Sequence, residues 1–306
     1  MILIISLEVI AFIFLSLPGD IYVHCEAAPK IPPQHLTNGY TMNDSIPIEY
    51  FYVDDTVDGQ GSHYIYNSQQ IKKMITSAGK FFDKLGTIVE DMKAKSLPPS
   101  MILGKLKKED WLYYALLNYT KELSKSQVVV TGSTNPWVES IALALGASHV
   151  TTLEYNKLTY GDSSEGLNLS TVSGNNFEEF YNSFNGTYDI AFSMSSFDHD
   201  GLGRYGDPLN PDGDLKAMQR VSDLLKPGGL LFLSVPVGPD VVVFNLHRRY
   251  GPVRLPALLS GWDIVEKIGW IEERLTQSAN WRQTYEPIFI LRKPVDLVPI
   301  ESVCVL

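Results

Sequence analysis

From Gln127 onward the sequence alternates short, wholly apolar stretches with amphipathic ones, and this alternation restricts the fold more than any other feature. Val128-Val129-Val130 and residues 149–153, 188–194 and 230–237 read as strands, and residues 167–172 as a further candidate. Continuous apolar runs of this length suit strands covered on both faces, as in a parallel sheet. Between them, residues 136–145, 177–184 and 214–225 have helical character, the first with proline in its opening turn. Strands alternating with helices imply a doubly wound α/β sheet. Residues 262–268 and 288–292 are expected to add an antiparallel pair.

The region before this domain is different. Residues 68–95 carry apolar side chains at Ile71, Met74, Ile75, Ala78, Phe81, Phe82, Leu85, Val89 and Met92, the stripe of an amphipathic helix that Ser68 can cap. A second helix is expected over 109–123, with Trp111, Leu112, Ala115, Leu116 and Tyr119 inward. Residues 28–66 show no sustained period and read as an extended arm whose Asp54, Asp55 and Asp58 face solvent. The chain therefore divides into a leader or anchor (1–27), an arm and helical cap (28–125), a Rossmann-like domain (126–294) and a tail (295–306).

The leader is apolar through Leu17 apart from Ser6, Glu8 and Ser16, and is shorter than the ~20 residues of a membrane-spanning helix. It reads as a secretory signal, cleaved after Cys25 or Ala27, or as a retained anchor, the one route to a membrane. Four Asn-x-Ser/Thr triplets, at Asn43, Asn118, Asn168 and Asn185, would accept glycans in a secretory lumen. Cys25 and Cys304 are the only cysteines, so neither a disulfide framework nor a Cys/His metal spacing exists, and no metal site is expected. The net charge of −10 weighs against a nucleic-acid partner, which demands a basic footprint.

Candidate chemistry gathers at the strand ends. The turn Thr131-Gly132-Ser133-Thr134-Asn135-Pro136 follows the first strand, where open sheets bind ligands. One glycine, Gly132, stands where a dinucleotide fingerprint has three. Glu154 ends the second strand 22 positions after Gly132, where an acid can accept hydrogen bonds from ribose hydroxyls. Lys226-Pro227-Gly228-Gly229 reads as a tight helix-to-strand turn. The loop after the 188–194 strand concentrates Ser195, Asp198, His199, Asp200, Arg204, Tyr205 and Asp207. Flanking carboxylates are expected to raise the His199 pKa and make it a general base. Arg204, Tyr205 and Asp207, with His247 and Arg248 further on, are candidates to grip a polar substrate. The same polar loop is also consistent with a turn held by its own salt bridges.

The stretch from Ser193 to Gly213, with residues 225–238 and 245–251, closely resembles domain-of-unknown-function family 268, whose members are similar to class I methyltransferases. The resemblance covers residues 127–292. It implies a Rossmann-like sheet of the class I methyltransferase type, S-adenosylmethionine as cofactor on Gly132, Ser133, Thr134, Glu154 and Ser195, and an O-methyltransferase in which His199, Asp198 and Asp200 act on the hydroxyl of a small molecule or glycan. A non-catalytic Rossmann-like binding module is the alternative. A dehydrogenase fits less well because no Tyr-x-x-x-Lys pair occurs, and no Gly-x-Ser-x-Gly elbow points to a serine hydrolase.

Overall fold

The computed structural model describes residues 29–55, 62–161 and 166–295. The expected leader, Cys25, Asp58, Cys304 and nearly all of the tail lie outside these residues. Among the described residues no helix is long and apolar enough to cross a membrane.

The arm and cap comprise α1 (Gln34–Tyr40), β1 (Ile48–Tyr50), β2 (His63–Tyr66), α2 (Ser68–Ala94), α3 (Pro99–Leu103), α4 (Trp111–Leu116) and α5 (Thr120–Leu123). The main domain follows with β3 (Gln127–Thr131), α6 (Trp137–Ala144), β4 (His149–Glu154), β5 (Lys157–Tyr160), β6 (Leu169–Ser173), α7 (Phe177–Ser183), β7 (Tyr188–Met194), α8 (Gly213–Leu224), β8 (Leu225–Ser234), β9 (Val241–Phe244), β10 (His247–Arg249), α9 (Arg254–Leu258), β11 (Asp263–Ile268) and β12 (Ile288–Arg292). Seven strands form one sheet in the order β11-β12-β8-β7-β3-β4-β6. β6, β4, β3, β7 and β8 run parallel, while β12 lies antiparallel between β8 and β11. This is the doubly wound sheet expected from the sequence. The apolar runs explain it: Val128, Val129, Ile190, Ala191, Leu231 and Phe232 are at most 1% exposed, covered on both faces.

Local expectations fare unevenly. Asn67, not Ser68, caps α2, in a reciprocal pair with Gln70 that satisfies two otherwise orphaned N–H groups. The helix expected over 109–123 is broken into a 3-10 turn at Lys108–Asp110, α4 and α5. At the break, Tyr119 sets its ring edge-on to Phe232 at 5.3 Å and its hydroxyl donates to Glu266 at 3.3 Å. Tertiary packing there overrides helical propensity. Lys226-Pro227-Gly228-Gly229 is not a free turn but an irregular stretch inside β8. Its partners are on the other side: Gly228 N–H donates to the Lys293 carbonyl and Lys293 N–H to that of Gly229.

The arm also has more structure than its composition suggests. Leu36, Tyr40 and Ile46 form a small second core with Leu202, Leu209, Val242 and Phe244, and β1 pairs parallel with β9. Beneath it lies a buried ionic network. Arg254 donates to both Asp214 oxygens at 2.5 and 2.8 Å, Tyr250 donates to the same carboxylate at 3.0 Å, and the Arg248 guanidinium stands 3.8 Å away. Burial opposes the Asp214 charge, but Arg248 and Arg254 outweigh it and hold the carboxyl below its usual range. A depressed carboxyl pKa stabilises the fold at neutral pH, and that contribution is lost as pH falls through the folded-state value. Asp214→Ala, which strands two buried guanidinium groups, is expected to cost about 3–5 kcal/mol, read from the urea midpoint. An unchanged midpoint would show that the network is not coupled to the fold.

Candidate functional site

Successive strands run from β3 through β4 to β6 toward one edge of the sheet, then return to β7 and β8 on the other side of β3. The carboxyl ends of β3 and β7 therefore border the switch point, where side loops diverge and leave a crevice. A cavity of about 250 Å³ occupies it, lined by Gly132, Ser133, Thr134, Asn135, Trp137, Glu154, Tyr155, Met194, Ser195, Ser196, His199, Asp200 and Tyr205.

Gly132 has φ +67°, and a Cβ there would fall 1.9 Å from the Ser196 hydroxyl oxygen, so no other residue fits without rearrangement. The turn is braced from below by Glu139, which is fully buried on α6. Glu139 accepts hydrogen bonds from Ser133 Oγ at 3.2 Å, Thr152 Oγ1 at 2.8 Å and Tyr160 Oη at 3.2 Å. The Ser133 hydroxyl is thus committed to the scaffold, leaving its backbone to face the cavity. Glu154 lines the cavity at the end of β4, with Oε1 accepting from the Asn156 backbone at 3.0 Å and side chain at 3.3 Å. Burial raises its pKa, against the lowering effect of these bonds.

A larger cavity of about 640 Å³ adjoins the first, and Trp137, Met194 and Ser195 line both. Its walls come from the helical cap (Phe81, Leu112 and Tyr113, with Lys108–Asp110) and from the ends of β8 and β12 (Ser234 and Ile288), together with Thr284 and Glu286. Ser195, at the partition, has φ +53°, a costly conformation for serine of the kind that concentrates at functional sites, and its N–H donates to the Ser234 carbonyl. Nothing in the sequence pattern separates Phe81 or Tyr113 from ordinary core residues. Trp137, in contrast, is a large aromatic side chain at a helix start beside the glycine turn, and is 38% exposed.

The loop after β7 departs most from expectation. His199 lines the first cavity, but its pKa is pushed down to about 4, not up: burial dominates and the Arg204 cation adds to it. Its Nδ1 lies 2.6 Å from the Leu246 carbonyl, an acceptor, so this nitrogen carries the proton and leaves Nε2 basic, 3.4 Å from Asp198 Oδ2. Asp198 is 1% exposed, does not line the cavity, and burial pushes its pKa up to about 7. Asp200 does line it, and burial followed by the nearby Asp207 raises its pKa. Asp207 is not available to a substrate, because its carboxylate accepts the backbone N–H groups of Gly201, Gly203 and Tyr205 at 2.7–3.2 Å. Neither is Arg248, whose fully buried guanidinium donates to the carbonyls of Asp200, Asn210 and Pro211. Arg204 pairs with Asp55 at 2.7 Å, and His247 is buried against Trp281; neither lines the two cavities. Of the five expected substrate residues, Tyr205 alone faces the cleft.

The braced turn makes stability depend on pH. Burial pushes the Glu139 carboxyl up to about 7, only partly offset by its hydrogen bonds. Between the unfolded value near 4.5 and about 7 the unfolded chain releases this proton and the folded chain keeps it, so this contribution to stability falls as pH rises. Glu139→Gln is expected to flatten the decline in unfolding free energy measured from pH 5 to pH 7. An unaltered slope would contradict the assignment.

No curated protein matches the chain in sequence. Among solved structures it is similar to the Burkholderia thailandensis 1,6-didemethyltoxoflavin-N1-methyltransferase, at 17% identity and TM-score 0.44, over 61% of this chain and 80% of that one. It is also similar to an S-adenosylmethionine-dependent methyltransferase from Mesorhizobium loti, at 13% identity and TM-score 0.40, over 62% and 99% respectively. Likenesses this distant carry nothing about chemistry. The family model described as Caenorhabditis protein of unknown function, DUF268, matches residues 125–287, which span the glycine turn, Glu154 and the whole β7 loop. The chain belongs to the DUF268 family.

Proposed function

We propose that this chain is an S-adenosylmethionine-dependent O-methyltransferase acting on the hydroxyl of a small molecule or of a glycan terminus. The observation that carries the reading is the pair of cavities joined at Trp137, Met194 and Ser195, one bearing the features of a nucleoside site and the other enclosed by the cap. The donor, when bound, supplies an already activated methyl group. The residues of the first cavity suit it. The turn from Gly132 to Asn135 lines it, the Glu154 carboxylate suits ribose hydroxyls, and Trp137 and Tyr155 offer aromatic walls to a base. Thr134 and Ser195 contribute polar groups along the same wall. His199 would receive the acceptor proton on Nε2, which burial keeps unprotonated at neutral pH. Holding the acceptor in the adjoining space supplies the alignment such a transfer needs.

The second reading, a non-catalytic binding module, draws support from Ser196, whose hydroxyl crowds the space beside Gly132. Entry into the secretory pathway is supported by the apolar leader. The four sequon asparagines are consistent with it, all being exposed and outside helices and strands.

Isothermal titration with S-adenosylhomocysteine is expected to show binding that Glu154→Ala weakens at least tenfold, about 1.4 kcal/mol. His199→Ala is expected to spare that binding while abolishing methyl transfer across an acceptor panel. Absence of binding sinks the enzymatic reading and favours the module. In a parallel assay, glycosidase treatment of cell-expressed protein should shift its band; an unshifted band counts against lumenal entry.

A further inference from the structure

The larger cavity has a chemical bias that the methyltransferase reading does not by itself require. Its walls are mainly apolar and partly aromatic: Phe81, Leu112, Tyr113, Trp137, Met194 and Ile288. Such a surface suits flat or compact apolar molecules, with a few polar groups fixing orientation. The ionisable groups on it are Lys108, Glu109, Asp110, Tyr113 and Glu286. Lys108 and Glu109 are exposed, so water screens both. Glu286 is different. It is half-buried and lines the cavity together with Ser195 and Thr284, and the Ser234 hydroxyl donates to its backbone carbonyl at 3.3 Å. Ser195 is the strained residue shared by both cavities, and Glu286 lines the larger one with it.

We infer that Glu286 is the selectivity residue of this second cavity, accepting a hydrogen bond from a neutral hydroxyl on an aromatic or other apolar acceptor and rejecting anionic acceptors. The inference rests on the proposed function for the word acceptor, but not for the cavity's selectivity. An ionised carboxylate has about four acceptor sites and no donor of its own. An incoming O–H satisfies one of them. An incoming carboxylate or phosphate brings no donor and places like charges together away from bulk water, where their repulsion is stronger. Burial raises the Glu286 pKa, and Asp198 adds to this, in keeping with a region where a further negative charge is unwelcome.

The test uses 2-naphthol and 2-naphthoate, which share one apolar frame and differ in the charged group. Each is titrated into the full chain at pH 7.5, with and without saturating S-adenosylhomocysteine. 2-Naphthol is expected to bind at least tenfold more tightly than 2-naphthoate. Glu286→Gln should bring the two within about threefold, and Glu286→Asp should keep most of the discrimination. Unchanged S-adenosylhomocysteine affinity in both variants shows that the first cavity is intact. Equal or tighter binding of 2-naphthoate to the wild type, no binding of either probe, or discrimination unaltered in Glu286→Gln overturns the inference. If S-adenosylhomocysteine fails to bind while the probe selectivity holds, the methyltransferase reading falls and the selectivity assignment survives.

Discussion

The site depends on one buried guanidinium. Arg248, wholly shielded from water, donates to three backbone carbonyls of the loop after β7 and lies against the Asp214 carboxylate. Asp207 works from the other side, gathering three backbone N–H groups of the same loop. A charge removed from water costs several kcal/mol unless it is paired and its hydrogen-bonding positions are filled. The loop therefore has little freedom to relax without exposing or orphaning one of these charges. The arm reinforces it, with the Tyr40 hydroxyl donating to the Gly201 carbonyl at 2.5 Å. The backbone that presents Ser195, Ser196, His199, Asp200 and Tyr205 to the cleft is rigid for this reason.

Desolvation sets the electrostatics around the cleft. Glu139, Glu154, Asp198, Asp200 and Glu286 all have raised carboxyl pKa values, with burial as the leading cause in each. The two imidazoles, His199 and His247, are lowered for the same reason, because burial disfavours whichever form carries charge. Each of these groups is thereby shifted toward its neutral form.

The sheet was largely legible from the residues, and the loop was not. Wholly apolar strands such as Val128-Val129-Val130 can lie only in a covered sheet, so the order of elements follows from pattern alone. The places of Gly132 and Glu154 on the cavity wall were legible because a tight glycine turn and a strand end are both encoded locally. Asp207 and Arg248 were misread as substrate groups, since a polar side chain in a glycine-rich loop looks the same whether it faces a ligand or its own backbone. The direction of the His199 shift was missed because flanking carboxylates are visible in sequence and burial is not. Phe81, Tyr113 and Glu286 come together only through tertiary contact between the cap and the far end of the sheet, and no local spacing announces that.

The proposed nucleoside site is the crevice at the ends of β3, β4 and β7, with the reactive end facing the partition at Met194 and Ser195. A crystal structure of the chain soaked with S-adenosylhomocysteine tests it most directly. The account expects density along Gly132–Asn135, with the ribose at Glu154 and the sulfur turned toward the larger cavity. Density elsewhere on the molecule, or a ligand whose sulfur points away from Ser195, would contradict it.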